Sequence, residues 1–207
     1  MIRLYRFPLS GNVERVSLAL AHKKLPVESV VIDPADRTLI RKVSGQDLVP
    51  VIEDIAHGGR MIYDSMEIVR YIDDTYPDHP LYPGDPARRA EMLLFIDWFN
   101  RVWKRPPNEI FVEMGKPSPD QERIARLGRA MTEALHIFED LLSGRSFLMG
   151  AFSAADCAAF PFLKFSTLSE KDDPYLFHRI LVDWQPLGSR HPRLREWILR
   201  MDAFPRA

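Results

Sequence analysis

Asp47-Leu48-Val49-Pro50-Val51-Ile52-Glu53, followed by Ile62-Tyr63-Asp64-Ser65-Met66-Glu67, decides how this chain folds. A proline sits among β-branched residues just where a strand should begin. Proline has no N–H for a sheet ladder, so it marks a strand start, an edge or a bulge. A cis Val49-Pro50 bond would turn the backbone of Val49 outward and leave its amide and carbonyl for a ligand. Asp64-Ser65 then opens a helix. The carboxylate suits an amine; the hydroxyl, with the helix-start amides, suits a carboxylate. Together these groups would recognise something shaped like a peptide with an amino-acid end.

Working outward, the N-terminal part alternates between strands and helices. Ile2 to Phe7 reads as a strand, and Gly11 to Lys23 as a helix with Val13, Val16 and Leu20 on one stripe. Val27 to Ile32 is a second strand between Pro26 and Pro34, and a weak helix covers Asp36 to Val43. Val51 to Ile55 and Met61 to Tyr63 are strands joined by His57-Gly58-Gly59-Arg60. Asp64-x-x-Glu67 resembles a capping box before a helix carrying Ile68, Val69 and Ile72. Pro77, Pro80, Pro83 and Pro86, with Gly84, then read as a linker.

Beyond the linker the pattern is helical. Met92, Phe95, Ile96, Phe99, Val102 and Trp103 form one stripe; Ile124, Leu127, Met131, Leu135, Phe138 and Leu142 form another. Pro106-Pro107 should kink or end the first helix. Leu194, Trp197, Ile198 and Met201 predict a last helix with Pro192 in its first turn. The run from Lys164 to Trp184 has few periodic cues. The expected fold class is α/β followed by all-α: an α/β domain at 1–77, a linker at 78–87 and a helical domain at 88–207. So small an α/β domain buries little surface alone, and the seam between domains would be the natural ligand cleft.

Composition excludes several classes. The chain has 207 residues, 46% hydrophobic content and a net charge of −1, so no global field draws it to nucleic acid or a membrane surface. Its apolar runs are too short for a membrane span, and Ile2-Arg3-Leu4-Tyr5 reads as strand rather than signal segment. Cys157 is the only cysteine, so there is no disulfide framework, and a cytoplasmic location is the simple reading. The histidines at 22, 57, 79, 136, 178 and 191 lack metal-ligand spacing, and no phosphate-binding glycine loop is present. Arg101, Lys104 and Arg105 read as a solvated basic face.

Ser10 lies directly after the first strand and before the first helix, where free amides and the macrodipole favour an anion. A thiolate gains most from such a place. A thiol has a pKa of roughly 8.5, and each unit of lowering needs ~1.4 kcal/mol. A hydroxyl hydrogen bond of about 1.5–3 kcal/mol, with a helix-end contribution of about 0.3–1 kcal/mol, would lower it by about one to two units. The plain alternative is that Ser10 only caps the helix.

These marks, in this order, resemble the cytosolic glutathione S-transferase family, serine-type and bacterial-like. They are the serine loop before Glu14-Arg15-Val16-Ser17-Leu18-Ala19-Leu20, the Leu48-Val49-Pro50-Val51 element, Asp64-Ser65, the Pro-rich linker and Gly150-Ala151-Phe152-Ser153-Ala154-Ala155-Asp156-Cys157. The likeness covers nearly the whole chain. It implies a thioredoxin-like glutathione-binding domain and a helical-bundle domain that supplies the electrophile pocket. Ser10 would stabilise the glutathione thiolate, with Asn12 a rival because the spacing from Ser10 to Arg15 is one longer than the family often shows. Val49, with Pro50 cis, would pair with the cysteinyl unit. Asp64 and Ser65 would hold the γ-glutamyl end, Ser65 taking the carboxylate, and Gln46 would reach the glycyl end. Leu48 stands where many members carry Lys or His, and Asp64 replaces the more usual glutamate.

Trp103 and Phe165 are candidate pocket walls from the aromatic set. Ser153 and Asp156 have the spacing of a structural helix cap. The resemblance also implies a homodimer, a role in detoxification, glutathione as co-substrate and no cofactor or metal. An enzyme acting through its own cysteine is disfavoured, because no cysteine lies in the Ser10 loop. A non-catalytic binding or assembly module of the same fold, or a glutathione-dependent isomerase, peroxidase, dehalogenase or disulfide reductase, is the alternative.

Overall fold

Ile2–Arg6 forms β1, Gly11–His22 forms α1 and Val27–Val31 forms β2. α1 is a crossover helix, and β1 and β2 are parallel, Ile2 opposite Val27 through Arg6 opposite Val31. A short helix α2 (Thr38–Ser44) ends on Gly45, whose φ of +73° supplies the left-handed turn. β3 (Val51–Asp54) runs antiparallel to β1, and β4 (Arg60–Tyr63) antiparallel to β3, giving the order β2-β1-β3-β4. Pro50 sits one residue before β3, where a missing N–H costs the ladder nothing. α3 (Ser65–Thr75) buries Ile68, Val69 and Ile72 as expected.

The computed structural model describes residues 1–168 and 173–207. Two compact units divide them: Met1–Pro83 together with Phe204–Ala207, and Gly84–Ala203. The first is the thioredoxin-like unit, a four-stranded mixed sheet with its helices; the second is all helical. No described helix is long and apolar enough to cross a membrane.

Two buried polar clusters brace the first unit. Asp54, at the end of β3, accepts bonds from Tyr71 Oη at 2.9 Å, Tyr76 Oη at 2.8 Å and His57 Nδ1 at 2.8 Å. Burial alone would raise the Asp54 pKa, but the two tyrosines and His57 prevail and hold it below the usual value. Lys23 pairs with Asp73 at 2.5 Å and donates to Tyr76 O at 2.7 Å. Asp73 in turn accepts from the Leu81 and Tyr82 amides, which ties the proline-rich stretch to α3.

The helical unit departs from the expected periodicity in one place. α4 (Pro86–Trp98) runs into a π-helical turn, Phe99–Trp103, and then α5 (Arg105–Met114). The Lys104 amide bonds to Phe99 O, five residues back, at 2.9 Å. This widening rotates the stripe, so Trp103 turns inward while Val102, expected in the core, is exposed. The helical stretch that begins at Pro86 ends before Pro106-Pro107, as expected, and the two prolines lie in the first turn of α5, where free amides are not needed. Of the basic residues nearby, Arg101 and Arg105 are exposed as expected, pairing with Asp97 and Glu109, while Lys104 lies over the Phe162 ring.

α6 (Gln121–Leu141) buries Ile124, Met131, Leu135 and Phe138. α7 (Ala154–Leu163) starts with the capping box of Ser153 and Asp156. Asp156 accepts from the Leu148 and Ser153 amides, Ser153 Oγ and Trp197 Nε1, all at 2.9–3.0 Å. Complete burial pushes its pKa up to about 6 against these donors. α8 (Leu176–Trp184) has no counterpart in the sequence reading, and part of the run left unplaced there falls outside the described residues. α9 (Pro192–Asp202) buries Leu194, Trp197, Ile198 and Met201 as expected.

Candidate functional site

The loop after β1 turns through Leu9, at φ +64°, and delivers Ser10 to the N-terminus of α1. Ser10 is the N-cap: its Oγ accepts from the Val13 amide at 3.4 Å. Capping uses an oxygen lone pair and leaves the hydroxyl hydrogen to be donated. Cap and thiolate donor are therefore compatible in one side chain. Asn12 lies half-buried in the first turn of the same helix.

The Val49-Pro50 bond is cis. Among the described residues, the amide and carbonyl of Val49 make no hydrogen bond. Its side chain belongs to an apolar cluster with Tyr5, Val13, Ile32, Ile40 and Val51. Gln46 is used differently from the expectation. Its Nε2 donates to Leu48 O at 2.8 Å and its Oε1 accepts from the Leu48 amide at 2.6 Å. The side chain thus braces the loop before Val49 with one N–H and one lone pair of its amide. Arg37 also supports the loop, donating to Asp47 O at 2.6 Å while its guanidinium lies over Phe7.

Asp64 is the N-cap of α3, its Oδ1 accepting from the Met66 amide at 2.9 Å and the Glu67 amide at 3.2 Å. The Met66 and Glu67 amides are therefore taken by the protein itself, which leaves the Ser65 amide as the helix-start amide outside the cap. Asp64 has φ +66° and ψ +124°, a conformation rare for a residue with a Cβ and costing on the order of 1–3 kcal/mol. Such outliers cluster at binding sites. Ser65 follows at 6% exposure. Its Oγ accepts from Arg15 Nη1 at 3.3 Å, and Arg15 itself is 2% exposed. Sequence reasoning used Arg15 only as a spacing mark after Ser10 and gave it no role. The signal was there: α1 is apolar on several faces, from Val13 and Val16 to Leu18, Ala19 and Leu20, so a charged residue within it had to be buried.

The helical unit does not present the expected walls. Trp103 is 3% exposed and stacks on Phe99 at 4.6 Å; Phe165 is 8% exposed and stacks on His178 at 4.4 Å. Both are core residues, in keeping with aromatic side chains at helical spacing. A cavity of about 360 Å³ in this unit has Asn108, Arg105, Glu109, Glu113 and Arg123 among its lining, together with Val112. Arg105 and Arg123 both pair with Glu109, at 2.6 and 3.0 Å. Cys157 is buried in α7.

Residues 4–80 match the glutathione S-transferase N-terminal domain, and residues 121–200 match the glutathione S-transferase C-terminal domain. Glutathione S-transferase L3 of Arabidopsis thaliana is 30% identical over 203 residues, covering 95% of this chain and 76% of that protein. The chain belongs to the glutathione S-transferase family. Pyrimidodiazepine synthase of Drosophila melanogaster is 33% identical over 105 residues, a match spanning 49% of this chain and 43% of that protein. A solved structure, the Tau class glutathione S-transferase from mango, Mangifera indica, superposes with a TM-score of 0.79. That superposition covers 98% of this chain and 88% of the other, at 21% identity, and so bears on the fold alone.

Proposed function

We propose that this member of the family is a glutathione transferase whose tripeptide lies along the N-terminus of α1, Val49 and the start of α3. The observation that carries the reading is the backbone of Val49, whose amide and carbonyl have no internal hydrogen bond beside the cis-proline. An extended cysteinyl unit satisfies both groups at once, as an added strand would. Asp64 Oδ2, outside the cap bonds, takes the γ-glutamyl amine, and Ser65 takes its carboxylate. Ser10 donates its hydroxyl hydrogen to the sulfur. The thiol proton passes to water, and the sulfur pair forms a C–S bond at an electrophilic carbon as the leaving group departs. No covalent bond to the protein is needed. Asn12 is the alternative donor to the sulfur.

Ser10→Ala tests this. Glutathione affinity by calorimetry should stay within about twofold, while kcat/KM toward a generic aryl halide near pH 6.5 falls about tenfold, as expected for losing one charge-assisted hydrogen bond. Unchanged turnover would transfer the role to Asn12, with Asn12→Ala the deciding variant. Failure of the wild-type chain to bind glutathione would end the reading altogether.

A second reading keeps the thiolate and changes what it attacks, as in a glutathione-dependent isomerase or disulfide reductase. The likeness, over half of this chain, to a protein named as a synthase supports an activity other than simple transfer. Assaying electrophiles, isomerisable substrates and disulfides with glutathione separates the two; binding without turnover of any would favour the assembly module. We further propose a homodimer, supported by exposed apolar side chains on α4, the π turn and α5: Leu94, Val102, Phe111 and Val112.

A further inference from the structure

We propose that Arg206 is a positioning residue: by pairing with Glu14 it offsets a negative charge that would otherwise oppose an anionic sulfur at the start of α1. The inference rests on the glutathione reading above. Glu14 lies in the first turn of α1, and its amide bonds to Ser10 O at 2.9 Å. Residues four apart share one side of a helix, and each Cβ leans toward the N-terminus. Glu14 and Ser10 therefore share one side of the helix end. An acid in a first turn suits the macrodipole, but it draws on the same positive end that a thiolate there would use. A like charge also disfavours the charged form of its neighbour. An uncompensated Glu14 carboxylate would thus raise the pKa of a thiol held beside Ser10.

Arg206 answers that charge. Its Nη2 and Nε lie 3.1 and 3.3 Å from Glu14 Oε1. The Glu14 side chain is 15% exposed and that of Arg206 27%, so water and salt screen the pair only in part. The guanidinium is held from its own side as well. Its Nη1 donates to Phe204 O, and the Ala207 amide donates to Ser17 O at 3.1 Å, which fastens residues 204–207 against α1. Of the other charges around α1, Arg15 reaches Ser65, Arg6 reaches Ala207 O and Arg37 reaches Asp47 O. Asp64 caps α3, and Lys23 pairs with Asp73 beyond the far end of α1.

The test titrates the thiol of glutathione bound to the full-length protein, following the ultraviolet absorbance of the thiolate against pH. Arg206→Gln should raise that pKa by about half a unit to one unit, the size of one uncompensated charge at a partly screened site. Glu14→Gln should lower it, since the Arg206 charge then lacks its counterpart. The double variant should return it to near the wild-type value. Arg206→Lys, which keeps the charge, should stay close to the wild type. If Arg206 only fastened residues 204–207, the double variant would keep the raised pKa; that result, or an unshifted pKa in Arg206→Gln, overturns the proposal. If circular dichroism shows Arg206→Gln unfolded, Glu14→Gln decides alone, and an unchanged or raised pKa overturns it. A wild-type chain that binds glutathione, with a thiol pKa indifferent to these variants, sinks this inference alone. One that does not bind glutathione sinks the glutathione reading as well.

Discussion

Gly128 on α6 is held by its neighbour rather than by a turn. A Cβ there would fall 2.1 Å from the Trp184 ring, far inside contact distance. Thr132 Oγ1 fixes the same place from the next turn of α6, donating to Trp184 O at 2.9 Å. Gly128→Ala should therefore destabilise the protein by about 1–3 kcal/mol, the usual cost of overpacking, read as a lower urea midpoint at unchanged slope. Nothing in the sequence marks this glycine, because its partner lies far along the chain. The placement of Ser10, Asp64 and Ser65 at helix starts was legible for the opposite reason: a hydroxyl or acid at a strand-to-helix junction is a local signal. Gln46 was legible as a loop residue but not as one folded onto Leu48. Whether an amide side chain turns outward or back depends on the loop's own geometry.

At the scale of elements, α9 takes its cap from another helix. His191 precedes it and makes no side-chain capping bond. Instead Glu139 of α6 accepts from the Leu194 amide at 2.8 Å, the Arg193 amide at 3.3 Å and Arg193 Nε at 2.7 Å. Burial alone would raise the Glu139 pKa, but these donors win and hold it below 4.5. The unfolded chain then binds the proton more readily than the folded one. The stabilisation is present above about pH 4.5 and is lost as pH falls through the folded value. Glu139→Gln should cost about 1–3 kcal/mol at pH 7. The gap from wild type should narrow below about pH 4.5 in a calorimetric pH series.

The strand and helix order of the first unit was readable because period-2 and period-3.6 stretches alternate between proline and glycine stops. The π turn was not, since one added residue changes which side chains face inward without changing composition. α8 was missed because its periodic stretch is only nine residues long and follows an irregular run.

For the whole molecule, the proposed dimer is the property most open to measurement. Light scattering at micromolar concentration should give twice the 24.0 kDa of one chain. Leu94, at 73% exposure, has too large an apolar side chain to be left in water without consequence across a patch. Leu94→Glu should shift the mass toward the monomer while leaving the circular dichroism spectrum unchanged; an unaltered mass would place the interface elsewhere.

The first unit includes residues from distant parts of the chain. The Ala207 amide bonds to Ser17 O at 3.1 Å, and Arg206 pairs with Glu14 at 3.1 Å, both on α1. During translation, at roughly 5–20 residues per second, α1 emerges from the ribosome many seconds before these partners do. Until then the helix that carries Arg15 and begins at Ser10 lacks two of its fastenings. The first unit is complete only after the whole of the second unit has been synthesised.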